Sequence, residues 1–131
     1  MVSVECMLSY TENPFRRPSC RWFHEFSFSI SCTALNEDEL PFSTQDRDIA
    51  RAYIPSSIRS LVMPIVVQSY TSLVTRVRPH TLYRVTKMRL PTPSALRKHD
   101  LPTARLRDLD YAVIETRTDP FGRTYWVMAR R

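Results

Sequence analysis

This sequence predicts a single α+β domain over residues 1–131: about five strands in one antiparallel or mixed sheet, with a central helix or kinked helix pair on one face. Three stretches carry the prediction. In "EFSFSISC" the residues Phe26, Phe28, Ile30 and Cys32 alternate with Glu25, Ser27, Ser29 and Ser31, the period of a strand covered on one side. In "SSIRSLVMPIVVQSYTSLV" the residues Ile58, Leu61, Val62, Ile65, Val66, Tyr70, Leu73 and Val74 recur at helical spacing. Near the end, two apolar runs flank "TDPFG", where Pro120 and Gly122 supply turn geometry, so Tyr111 to Thr116 should pair with Thr124 to Ala129 in a hairpin.

The remaining elements follow in order. Val2, Val4, Cys6, Leu8 and Tyr10 alternate with Ser3, Glu5, Met7 and Ser9, an edge or half-buried strand, and "NPFRRPSCRW" turns the chain into the next one. Ser43 and Asp46 have capping-box spacing, so a helix is expected to start there and to end or bend at Pro55. The central run resumes as helix. Pro64 and the β-branched Val66, Val67, Thr71 and Val74 leave a strand as the alternative over its later half, residues 66–75. Leu82 to Leu90 reads as a strand, with Lys87 and Arg89 on the face of Tyr83 and Val85 and Arg84 opposite. Thr92 with Pro93 starts a short helix, and a second helical piece follows Pro102.

Composition narrows the function. At 131 residues and 43% hydrophobic content, one ordinary core forms without metal or disulfide staples. A single glycine against ten prolines excludes Gly-rich phosphate loops and dinucleotide fingerprints, and leaves positive-φ turns to Asn and Asp. Cys6, Cys20 and Cys32 form no CxxC pair and follow no secretory leader, so reduced thiols in a cytoplasmic protein are expected. The most apolar run, Leu61 to Val67, is too short to span a bilayer.

Charge is the strongest functional signal. Arginine outnumbers lysine seventeen to two, and the net charge is +6. Residues 76–107 hold nine cations, Arg76, Arg78, Arg84, Lys87, Arg89, Arg97, Lys98, Arg105 and Arg107, against Asp100 alone. Clustered charge focuses an attractive potential on anions, and the arginine fork pairs bidentately with carboxylate or phosphate. These nine residues are the expected partner-binding surface, with Tyr83, Tyr125 and Trp126 as candidates for stacking on a base.

The expectation is therefore a small binding protein without cofactor or metal, an accessory or inhibitory factor of mobile-element style. Its arginines would engage a protein partner belonging to a nucleic-acid-handling complex. Direct binding to the phosphate backbone of nucleic acid is one alternative. A small enzyme using His80 or His99 for nucleotide transfer or hydrolysis is the other, although neither is paired with Cys or Ser in sequence. The stretch "HTLYRVT" from His80 to Thr86 resembles the first strand motif of ADP-ribosyltransferase folds, whose His or Arg and following Thr or Ser hold a nicotinamide cofactor. The chain following it is shorter than that catalytic core, and Glu115 alone stands where a glutamate motif belongs. Cys20, His24 and Cys32 have ligand-type side chains but lack a fourth at standard spacing. Asp108, Asp110, Glu115 and Asp119 read as turn caps and partners of Arg117 or Arg123, with Glu115 facing with Tyr111 and Val113. A homodimer is a further expectation, since the terminal hairpin is apolar on both faces and needs cover. The acidic loop Glu37 to Glu39 is the second candidate surface.

Overall fold

The first two strands, β1 (Val2–Glu12) and β2 (Trp22–Cys32), pair antiparallel along all eleven residues, from Val2 opposite Cys32 to Glu12 opposite Trp22. The computed structural model describes residues 2–13, 21–32, 42–44, 52, 54–86 and 89–131. Strand β3 (Phe42–Thr44) pairs with the end of β2, and Ser43 lies opposite Ser31. Ser43 is therefore in the sheet, and the start of the helix expected from its spacing to Asp46 falls on residues outside those described. The capping partner Asp46 and the acidic loop at 37–39 lie outside the described residues.

Helix α1 (Ser56–Val77) follows Pro55 at its N-cap and runs through Pro64 without a break. Val66, Val67, Tyr70 and Val74 are its buried residues, all in the segment for which a strand was the alternative. Burial of that stripe outweighs the weak helix preference of β-branched residues, a preference worth only tenths of a kcal/mol each. Arg78 ends the helix in the left-handed region at φ 51°, its amide donating to Val74 O at 2.8 Å. Among the described residues the positive-φ positions are Arg78, Leu90, Asp110 and Gly122, so two of the three non-glycine positions fall on residues other than the expected Asn or Asp.

Strand β4 (Thr81–Val85) lies parallel to β2, with His24 opposite Leu82, and antiparallel to β6 (Thr124–Arg130). Strand β5 (Tyr111–Thr118) completes the hairpin with β6. The order β1-β2-β4-β6-β5, with β3 beside β2, makes a mixed sheet. Between β4 and β5 lie α2 (Pro93–Arg97) and α3 (Asp100–Arg107). Thr92 caps α2 by accepting the Ala95 amide at 3.2 Å, and Pro93 occupies its first turn. Helix α3 begins two residues before Pro102, which the first turn tolerates because its amides have no helical acceptor.

α1 and α3 share one face of the sheet, where Tyr70, Val74, Leu82, Leu106, Tyr111 and Met128 form the main core. Phe23, Tyr83, Tyr125 and Val127 form a second buried cluster on the opposite face. Tyr111 and Met128 of the terminal hairpin are thus buried on one face and Tyr125 and Val127 on the other. A bulge between Val113 and Glu115 leaves Ile114 58% exposed and turns Glu115 to the face opposite Tyr111 and Val113. Its carboxylate there accepts the Tyr125 hydroxyl at 2.6 Å. The side-chain period of two cannot anticipate such a switch, because the extra residue resets it. No helix among the described residues is long and apolar enough to cross a membrane.

Candidate functional site

Strand β4 ends at Val85 rather than reaching Leu90. Thr86 exchanges bonds with Thr124, its amide donating to Thr124 O and its hydroxyl accepting the Thr124 amide. The chain then leaves the sheet, and Leu90 N donates to Gly122 O at 2.8 Å. Arg89 is exposed beside Gly122 and shares no strand face with Tyr83; Lys87 lies outside the described residues. The run of nine cations is therefore divided. Arg76 and Arg78 flank the C-terminus of α1, while Arg97, Lys98, Arg105 and Arg107 are exposed on α2 and α3.

Arg84 is the exception. It is 4% exposed, on the face covered by the helices, and so cannot touch a partner. Its guanidinium sits 6.0 Å from the Tyr70 ring centroid and 5.7 Å from that of Trp126, donates to Thr103 Oγ1, and reaches the His99 carbonyl at 3.5 Å. No carboxylate pairs with it among the described residues. Two aromatic faces and two oxygens replace the water it loses. Burial holds its pKa below the usual arginine value, a shift opposed by Tyr70. Tyr70 stacks on Phe26 at 3.9 Å, and its hydroxyl is buried without a hydrogen-bond partner among the described residues.

These contacts tie α3 to the sheet. Thr103 donates its hydroxyl to the His99 carbonyl at 2.7 Å, and the His99 ring stacks on Trp126 at 4.2 Å with planes 17° apart. Lys98 and His99 both keep right-handed helical angles, so α2 and α3 follow one another almost without interruption. With Pro102 and Leu106 buried, four-residue spacing sets Leu101 and Arg105 on the outer side of α3, while Arg97 and Lys98 are exposed at the end of α2 just before it. Leu101 is 47% exposed there, an apolar side chain set among cations. Sequence reasoning counted those arginines but missed Leu101. The signal was the i, i+4 spacing of residues 97, 101 and 105.

None of the residues expected to stack on a base is available as expected. Tyr83 and Tyr125 are buried in the second core cluster, and Trp126 is occupied by His99 and Arg84. His80 and His99 lie apart: His80 is exposed just before β4, and His99 packs beside Arg84 near its end. Cys6 faces α1, where burial raises its thiol pKa and a hydrogen bond with Ser69 opposes the shift. Cys20 lies outside the described residues, and His24 packs against Tyr10 at 4.8 Å. Among the described residues no three metal-ligating side chains converge. Comparison with protein families, with curated proteins and with solved structures finds no match.

Burial and the charge of Arg84 together lower the His99 pKa to about 4. An unfolded histidine titrates near 6.5. The neutral ring's contribution to stability is then fully present above pH 6.5 and is lost as pH falls from there toward 4, by up to about 3 kcal/mol. Urea midpoints should drop between pH 7 and pH 5 in the native protein, and His99→Gln should remove most of that drop. An unchanged pH dependence in the variant would place the titration elsewhere.

Proposed function

We propose that this protein acts by binding, presenting the strip Arg97, Lys98, Leu101 and Arg105 to an acidic protein surface, that of a component of a nucleic-acid-handling complex. The observation that carries this reading is an exposed leucine on α3, one turn from the exposed Arg105 and shortly after the exposed Arg97 and Lys98, on a helix pair anchored from beneath by Arg84. An apolar anchor surrounded by steering charge suits a protein partner, whose docking needs a desolvated centre and a charged rim. A phosphate backbone would use the arginines and leave Leu101 in water. Anchoring matters because a strip held rigid loses less entropy on binding.

Affinity capture from native extract, with and without nuclease, tests the proposal. The complex should saturate at fixed stoichiometry and survive nuclease. Arg97→Glu, Arg105→Glu and Leu101→Asp should each weaken it about tenfold or more while far-UV circular dichroism stays that of the native chain. Native affinity retained by all three variants would overturn the reading.

A further inference from the structure

A second surface lies at the other end of β4, independent of the strip on α2 and α3. Tyr10 and Trp22, at the ends of β1 and β2, are stacked with ring centroids 5.4 Å apart and planes 14° from parallel. They are nevertheless 64% and 43% exposed. His24 packs tilted against Tyr10 with ring centroids 4.8 Å apart, and the Arg21 guanidinium lies 5.9 Å from the Trp22 ring centroid. The result is a pile of flat groups standing on the sheet, with an arginine at its open end.

This end of the molecule gathers further cations. The parallel register of β2 with β4 places Trp22 beside His80, and β6 brings Arg130 next, its amide donating to His80 O at 3.0 Å and its Nη1 to Arg78 O at 3.2 Å. From β2 across β4 to β6 the span is about 10 Å, within reach of a dinucleotide. On the β1 side, an open groove of about 420 Å³ runs along α1 from Gln68 to Arg76, floored by Cys6 and bordered by Ser69, Ser72 and Leu73. It leads toward Tyr10, because β1 and α1 run to the same end of the sheet. Asp108 and Asp110 also lie at this end, before β5, and Glu12 stands opposite Trp22, so these carboxylates limit its charge.

From this geometry we infer that the Tyr10 and Trp22 pile binds single-stranded nucleic acid, a base stacking on Trp22 while Arg21, Arg78 and Arg130 hold the adjoining phosphates. Arg21 is 78% exposed and held by one ion pair to Glu12 at 3.2 Å, a solvated pair of little strength. Its guanidinium moves from the ring to phosphate when a base takes its place. A duplex hides its base faces and gains nothing from the pile, so the surface selects unpaired strands. An acidic protein surface would be drawn by the same cations but offers no succession of flat rings for the pile to continue.

The test is fluorescence anisotropy with a labelled oligothymidylate of about 12 nucleotides, titrated with the full chain at about 50 mM salt and again at higher salt. Binding should weaken with salt, and a duplex of equal length should compete poorly. Trp22→Ala and Tyr10→Ala should each reduce affinity roughly 5- to 150-fold while the far-UV circular dichroism stays that of the folded chain. Arg21→Glu should lower both the affinity and the salt slope. Arg97→Glu, on the strip proposed for the protein partner, should leave oligonucleotide affinity within about twofold, so the two proposals fail separately. Absence of binding at low salt would overturn the inference, and so would affinity that follows charge alone and ignores Trp22→Ala. Loss of a captured protein partner on Trp22→Ala, without any oligonucleotide binding, would reassign the surface to protein docking.

Discussion

Arg84→Glu is expected to abolish folding. The substitution buries a carboxylate between the Tyr70 and Trp126 rings, facing the Thr103 hydroxyl and the His99 carbonyl, with no cation supplied among the described residues. An unpaired buried charge costs about 3 to 5 kcal/mol, a large fraction of a domain's stability. Arg84→Met distinguishes a structural arginine from a functional one. Methionine fills similar volume, removes a desolvated charge, and leaves the His99 carbonyl satisfied by Thr103. It should leave stability within about 1 kcal/mol of native or raise it. His99 should also titrate higher without the neighbouring cation, which nuclear magnetic resonance of its ring reads directly. A Met variant that unfolds as readily as the Glu variant would show that the guanidinium itself is required. Capture of the native partner by the Met variant then reports whether Arg84 serves binding only by holding α3 in place.

Asp119→Ala should cost about 3 kcal/mol, read as a fall of roughly 10 °C in melting temperature. The Asp119 side chain is 1% exposed; its Oδ1 accepts the amides of Phe121 and Arg123, both at 2.9 Å, and its Oδ2 accepts Arg123 Nε at 2.7 Å. Burial disfavours the charged form, but the bonds from Arg123 and Phe121 and the Arg123 charge outweigh it, and the pKa is lowered. The contribution is therefore present above the ordinary aspartate range and is lost as pH falls through the lowered value. Alanine leaves two amides and a guanidinium without their acceptor, whereas asparagine still offers one oxygen and should recover part of the loss. Melting curves at pH 7 that show no difference between native protein and Asp119→Ala would remove this turn from the determinants of stability.

What the sequence determined by itself is the local pattern. Alternation at Val4, Cys6, Leu8 and at Phe26, Phe28, Ile30 specifies β1 and β2, because a strand facing one core must repeat every second residue. "TDPFG" specifies the β5–β6 turn, and Asp119 pairs with Arg123 there as its position suggested. Thr92 and Pro93 specify the start of α2. These depend on neighbours within a few residues. Tertiary structure alone decided which arginines face water. Arg84 sits in a run of cations, yet β4 carries it beneath α3, and burial follows from the packing of distant residues Tyr70, Thr103 and Trp126. It alone decided that Glu115 changes face, since the bulge arises between strands. The same holds for the aromatic surfaces. Tyr83 and Tyr125 lie near the basic run in sequence but go inside, because the sheet has a second covered face. Tyr10 and Trp22, far from that run, meet cations at the sheet's end because β2, β4 and β6 lie side by side there. Charge and ring type are written in the sequence, but exposure and company are properties of the strand order.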